Sequence, residues 1–174
     1  METWSVVVDA SGSMLSGARA QIAGECVRTL LQAGAATRTR VFCWKGDSVS
    51  PWPPAGFADS AAWEQTFGGG SNFAAFAAWA AEQEGRILLV SDGYAVQDAP
   101  AQDVRTLQRK KKAMELLLLE QERTLAGVKR LFPAEAVFAP EEILVLAERL
   151  KNVAQPMPKT VSEIAWAQGG EQDA

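Results

Sequence analysis

The sequence predicts an α/β layer fold around a mostly parallel sheet. Three observations carry that reading. Valine- and leucine-rich runs near 4–8 and 87–90 read as strands buried on both faces, as parallel strands are. Stretches of helical spacing alternate with them over roughly the first 95 residues. Two aspartates, Asp9 and Asp92, stand at strand carboxyl ends, where ligands bind in such sheets.

The first strand, Trp4 to Val8, ends in the polar turn Asp9-Ala10-Ser11-Gly12-Ser13. Residues 18–33 then predict a helix, with Ile22, Cys26, Leu30 and Ala33 on one face and Gly34 as its stop. Arg40 to Lys45 is β-branched and aromatic, which favours a second strand. Ser48 to Gly56 is a proline-rich loop that cannot be a central strand. Asp59 is placed to cap a short helix to Phe67, with Trp63 and Phe67 inward. After Gly68-Gly69-Gly70, Ser71 or Asn72 caps a helix to about Glu84 whose inner face is Phe73, Phe76, Ala77 and Ala80. Arg86 to Ser91 is the next buried strand, ending in Asp92-Gly93.

The second half predicts one long helix over 99–132. Val104, Leu107, Lys111, Met114, Leu118, Gln121, Leu125, Val128 and Phe132 follow a 3-4 spacing, capped by Asp98 and Pro100. Roughly 30 residues at about 1.5 Å each span ~45 Å, so this helix either overhangs the body or breaks near Lys112 or Gly127. Ala136 to Phe138 reads as a last short strand. Pro140 opens a helix with Glu141 and Glu142 in its first turn and Ile143, Leu146, Ala147 and Leu150 inward. The domain is read as 1–152, with a site-bearing half at 1–98 and closing elements at 99–152. A linker and short tail helix fill 153–174, where Thr160 to Glu163 has a capping-box pattern.

Composition narrows the chemistry. The 174 residues suffice for one domain, and 48% are hydrophobic against 22% charged, as in a globular protein. There is no histidine, which excludes Ser-His-Asp and Cys-His catalysis and imidazole metal sites. Two cysteines cannot form a four-cysteine zinc site and are read as free thiols. A net charge of −4 argues against nucleic acid. The basic run Arg105, Arg109, Lys110, Lys111, Lys112 is read as a solvated face pairing with Glu115, Glu120 and Glu122. No apolar run reaches the length of a membrane span, and Met1 to Trp4 lacks the basic start of a signal peptide. The expected location is therefore cytoplasmic.

Asp9, Ser11 and Ser13 form a D-x-S-x-S pattern. One carboxylate and two hydroxyls from a single turn are all oxygen donors, which suit Mg²⁺, Mn²⁺ or Ca²⁺. Few formal charges around such an ion leave it electrophilic, ready for an acidic ligand from outside.

At these residues the chain resembles the von Willebrand factor A (VWA) family and its metal-ion-dependent adhesion site (MIDAS). That family places D-x-S-x-S after its first strand, a threonine in a second loop and Asp-Gly after a buried strand. Here these positions are Asp9, Ser11 and Ser13, then Ser71 in place of the threonine, then Asp92. The resemblance covers 4–95. It implies a three-layer Rossmann-like fold, with the second half reduced or modified and a helical C-terminal extension. It also implies a site of Asp9, Ser11, Ser13, Ser71 and Asp92 holding Mg²⁺ (or Mn²⁺/Ca²⁺). Met14, Leu15 and Tyr94 flank that site, either as an apolar rim for a partner or packed under neighbouring loops.

The function expected from the resemblance is metal-dependent protein binding inside a bacterial cell, as part of a multi-protein system. The partner would offer an acidic side chain to the metal, and a MoxR-type AAA+ ATPase is a candidate. The chain is expected not to be an enzyme. Two alternatives stand beside this: Mg²⁺-dependent phosphoryl transfer through Asp9, and a metal-free scaffold.

Overall fold

In a computed structural model, residues 3–35, 38–52, 59–120 and 126–151 are described. Six strands form one sheet, β1 (Trp4–Asp9), β2 (Thr39–Lys45), β3 (Ser48–Pro51), β4 (Arg86–Ser91), β5 (Met114–Leu118) and β6 (Val137–Phe138). Their spatial order is β3-β2-β1-β4-β5-β6, and only β3 runs antiparallel to its neighbour.

The helices cover both faces. They are α1 (Arg19–Leu30), α2 (Ser60–Thr66), α3 (Phe73–Glu82), α4 (Tyr94–Gln97), α5 (Ala101–Leu107) and α6 (Ile143–Lys151). Alternating strand residues supply the two cores. Val6, Val8, Leu88, Val90 and Leu117 meet Val27 and Leu30 of α1 and Leu146 and Leu150 of α6. Val7, Leu89 and Leu116 meet Phe76 and Ala80 of α3 and Leu107 of α5. Burial on both sides explains the unbroken apolar runs of β1 and β4. The result is a helix–sheet–helix sandwich of the Rossmann-like kind.

The first-half expectations hold with small shifts. Asp59 accepts from Ala61 N at 2.9 Å, and Asn72 accepts from Ala74 N at 3.0 Å, so each caps its helix. Phe73, Phe76, Ala77 and Ala80 are the buried face of α3. In α1 the buried face is Ala20, Ala23, Cys26, Val27 and Leu30, whereas Ile22 points outward. The proline-rich loop begins as an edge strand, β3, a position that tolerates Pro51. Trp52 packs back on the body, stacked on Trp63 at 4.2 Å between ring centres.

The long helix over 99–132 is corrected. Helix α5 stops at Leu107, the chain turns through Lys111–Ala113, and Met114–Leu118 enters the sheet as β5 beside β4. A 3₁₀ segment, Ala126–Arg130, follows. Met114, Leu116 and Leu117 are buried on the two faces of a strand; Met114 and Leu118 also satisfy a helical spacing. The expected pairings of the basic run change with it. Glu115 is buried and meets Arg86 and Arg149, and Glu120 meets Arg19. Arg105, Arg109 and Lys112 remain exposed. The expected break points, Lys112 and Gly127, both lie in 3₁₀ turns. Gln121, Glu122, Leu125 and the tail at 153–174 lie outside the described residues. No described helix is long and apolar enough to cross a membrane.

Candidate metal centre

The strand order reverses between β1 and β4: β2 lies outside β1 on one side, β5 outside β4 on the other. At such a switch point the loops leaving neighbouring strands diverge and leave a crevice. Asp9 is the last residue of β1, and Asp92 follows β4. Topology alone thus brings two carboxylates to one crevice.

Both are fully buried. Asp9 Oδ1 accepts from Ser11 N at 3.0 Å and from Ser71 Oγ at 2.9 Å. Asp9 Oδ2 accepts from Ser91 Oγ at 2.7 Å. Ser11 and Ser13 place their hydroxyl oxygens 3.1 Å apart. The Ser13 hydroxyl lies near enough to Asp92 to lower its carboxyl. Asp92 Oδ1 accepts from Tyr94 N at 3.2 Å. Asp9, Ser11, Ser13 and Ser71 therefore share one hydrogen-bonded cluster, with Asp92 beside it.

The glycine loop holds Ser71 in place through backbone bonds. Gly12 N donates to Gly69 O at 2.8 Å, Gly68 N to Ala10 O at 2.9 Å and Gly46 N to Gly70 O at 2.8 Å. Gly68 and Gly69 have φ of 148° and 70°, where a side chain would strain the backbone. The loop is thus laced to the turn after β1 rather than acting as a hinge.

Asp92 carries the electrostatic signature of the site. Burial pushes its carboxyl above the usual range and the Asp9 charge adds to that; the Ser13 hydroxyl, Tyr94 N and Arg19 pull it back. Its Oδ2 is buried without a hydrogen-bond partner. The nearest cation is Arg19 Nη1 at 3.9 Å. A buried carboxylate oxygen facing a second carboxylate fits a hard cation, and hydroxyls complete an all-oxygen donor set. Among the described residues no group of three or more His, Cys, Asp or Glu occurs, so any ion here depends on those hydroxyls.

The proposed rim is partly corrected. Met14 is fully buried in the core beside α1 and offers nothing to a partner. Leu15 is 50% exposed. Tyr94 is half-buried and donates its hydroxyl to Glu120 Oε2 at 3.0 Å.

Three further residues belong to the site. Ser91 had a signal: Val8 pairs with Val90, so the next position of β4 lies beside Asp9. Glu120 follows the run of β5 much as Asp92 follows that of β4, a signal hidden while 99–132 read as a helix. Arg19 had none. Gly17 and Ala18, with φ of 58° and 60°, turn the chain so that Arg19 reaches back to donate to Ser13 O at 3.1 Å. Left-handed backbone at an alanine costs about 1 kcal/mol.

No family model and no curated protein matches the chain. Solved structures do. A von Willebrand factor type A protein from Catenulispora acidiphila aligns with a TM-score of 0.54 at 15% identity, over 87% of this chain and 41% of that one. Proximal thread matrix protein 1 from the mussel byssus gives 0.56 at 14%, over 88% and 48%. The pilus adhesin SpaC from Lactobacillus rhamnosus GG, in its open conformation, gives 0.54 at 12%, over 88% and 29%. The chain spans less than half the length of each. Identities this low speak to the fold alone: the chain has the Rossmann-like α/β fold of von Willebrand factor A domains.

Proposed function

We propose that the chain is a metal-dependent protein-binding module of the MIDAS type. The observation that carries this reading is the buried Oδ2 of Asp92, which accepts no hydrogen bond, close to Asp9 and to the Ser13 hydroxyl. Those residues would hold Mg²⁺, or Mn²⁺ or Ca²⁺, and the ion would supply an electrophilic point for an acidic side chain of the partner. One neighbouring structure belongs to a pilus adhesin, a protein named for binding. Two free cysteines among the described residues agree with a reducing cytoplasm. A bacterial multi-protein system, with an AAA+ ATPase of the MoxR kind as partner, is the setting this reading favours.

The state of Asp9 supports a reading of binding rather than turnover. Both of its oxygens accept hydrogen bonds, and its side chain is fully buried, so it is poorly placed to attack a phosphoryl group. The absence of histidine removes the commonest general base.

The test is a thermal melt with millimolar Mg²⁺ or Mn²⁺ against EDTA. An ion at about 100 times its Kd stabilises the folded state by ~2.7 kcal/mol, a shift of several degrees in a domain this size. That shift should vanish in Ser11→Ala/Ser13→Ala. An unchanged melting temperature in the parent protein at millimolar metal would sink the reading and favour the metal-free scaffold. Mg²⁺-dependent phosphatase turnover lost in Asp9→Ala would favour the enzyme.

A further inference from the structure

Arg19 stands between two acidic groups on the rim of the crevice. Its Nη1 is 3.9 Å from Asp92 Oδ2, and its Nη2 donates to Glu120 Oε2 at 2.5 Å. The same Glu120 oxygen accepts from the Tyr94 hydroxyl, and the guanidinium lies 5.9 Å from the centre of the Tyr94 ring. Glu120 is 7% exposed and comes from the far side of the sheet's switch point, at the end of β5. Three elements thus converge: the start of α1, the loop after β4 and the end of β5.

We propose that Arg19 is a built-in competitor for the cation at Asp92, and that Glu120 sets the strength of that competition. The inference rests on the metal-binding reading above and names its regulation. A guanidinium cannot lose its proton, so it is a permanent positive charge beside the buried Asp92 oxygen. An entering divalent ion meets repulsion from it at close range, in a site too buried for salt to screen fully. Glu120 and Tyr94 draw the guanidinium outward and offset its charge. Asp9, Asp92 and Glu120, when ionised, bring three negative charges and Arg19 one positive charge, which leaves a deficit of two for a divalent ion to fill. Removing the Arg19 charge deepens that deficit, and removing the Glu120 charge shrinks it. The two changes therefore act in opposite directions on the ion, which a merely structural role would not produce. Any outside carboxylate that engages Arg19 would, by linkage, also tighten the ion.

The experiment measures Mn²⁺ affinity by calorimetry on the full chain, for the parent and for Arg19→Gln, Arg19→Lys and Glu120→Gln. Circular dichroism checks that each is folded. Arg19→Gln should bind Mn²⁺ about three- to thirtyfold more tightly. Arg19→Lys, which keeps the charge, should stay near the parent. Glu120→Gln should bind at least about threefold more weakly, and this arm carries the test if Arg19→Gln does not fold. A parent that binds Mn²⁺ beside an Arg19→Gln that binds equally or more weakly overturns the inference while leaving the metal reading intact. An unchanged Glu120→Gln overturns the setting by Glu120. If neither the parent nor Arg19→Gln binds Mn²⁺, the metal reading itself falls and takes the inference with it.

Discussion

Arg149 Nε lies 2.7 Å from Glu115 Oε1, and this contact ties helix α6 to the amino end of the fifth strand, at the opposite end of the strands from the candidate metal centre. Arg86 reaches the same oxygen at 3.0 Å and stacks over Trp4, 5.0 Å from the centre of its ring. Glu115 is buried, and the two arginines are about four-fifths buried. Removing one partner of such a cluster leaves buried charge uncompensated. Glu115→Ala should therefore lower stability by about 2–4 kcal/mol, read as a drop in the urea midpoint. Arg149→Met, which keeps an unbranched apolar stem and leaves Arg86 paired with Glu115, should cost less. Equal stability of Glu115→Ala and the parent would remove the cluster from the account of how α6 is held.

Ser71 offers a test of the site that separates folding from metal binding. Its hydroxyl donates to Asp9 Oδ1 and lies 3.4 Å from Trp44 O. Ser71→Ala should cost the metal-free protein only about 0.5–1.5 kcal/mol, yet abolish the stabilisation by Mg²⁺. Ser71→Thr keeps the oxygen and stiffens the side chain, so it should retain that stabilisation or increase it. Melting each variant with Mg²⁺ and with EDTA distinguishes these outcomes; a metal shift that survives Ser71→Ala removes Ser71 from the donor set.

Cys26 predicts an alkaline limit to stability. Burial, with smaller help from the Glu141 and Glu25 charges, raises its thiol from 9.0 to about 11. A group whose folded value is raised favours the protonated folded state. Its contribution is complete below the unfolded value near 9 and is lost as the pH climbs to about 11. Between pH 8 and pH 10.5 the denaturant midpoint should fall further in the parent than in Cys26→Ala. Cys26 should also resist alkylation at pH 8, because little thiolate is present.

Gly85 sits at the tight turn into β4 with φ of 84°. A β-carbon there would collide with Thr3 O, the same carbonyl that accepts from Arg86 N at 3.0 Å. Gly85→Ala thus combines left-handed strain with a backbone clash, and should cost about 2 kcal/mol or more. Its unfolding midpoint measures this directly, and a neutral substitution would show that the turn relaxes freely.

The sequence was most readable where one physical signal dominated. The runs of β1 and β4 are unbroken because both faces are buried, and each is followed by a polar turn, so the two strands and their aspartates stood out together. Helices α2 and α3 announced themselves through Asp59 and Asn72. The failures came where two signals coincided. Met114 and Leu118 fit a strand as well as a helical seam, and tertiary pairing with β4 decides between them. Met14 follows the site loop in sequence, but the 3₁₀ turn at Gly12–Ala18 swings its side chain into the core. Arg19 and Glu120 are 101 positions apart, and no local pattern links a helix start to the end of a strand not yet recognised.

The sheet's two margins have a consequence for how the chain meets other chains. One margin ends in Pro51, which has no amide hydrogen to offer, on a four-residue strand set against the direction of the rest. The other is β6, two residues long. An incoming strand finds little template on either side, which guards the fold against edge-to-edge polymerisation and amyloid-like stacking. Under the proposed function, partners would meet the crown of loops above β1 and β4 instead, where recognition depends on side-chain chemistry and not on backbone pairing.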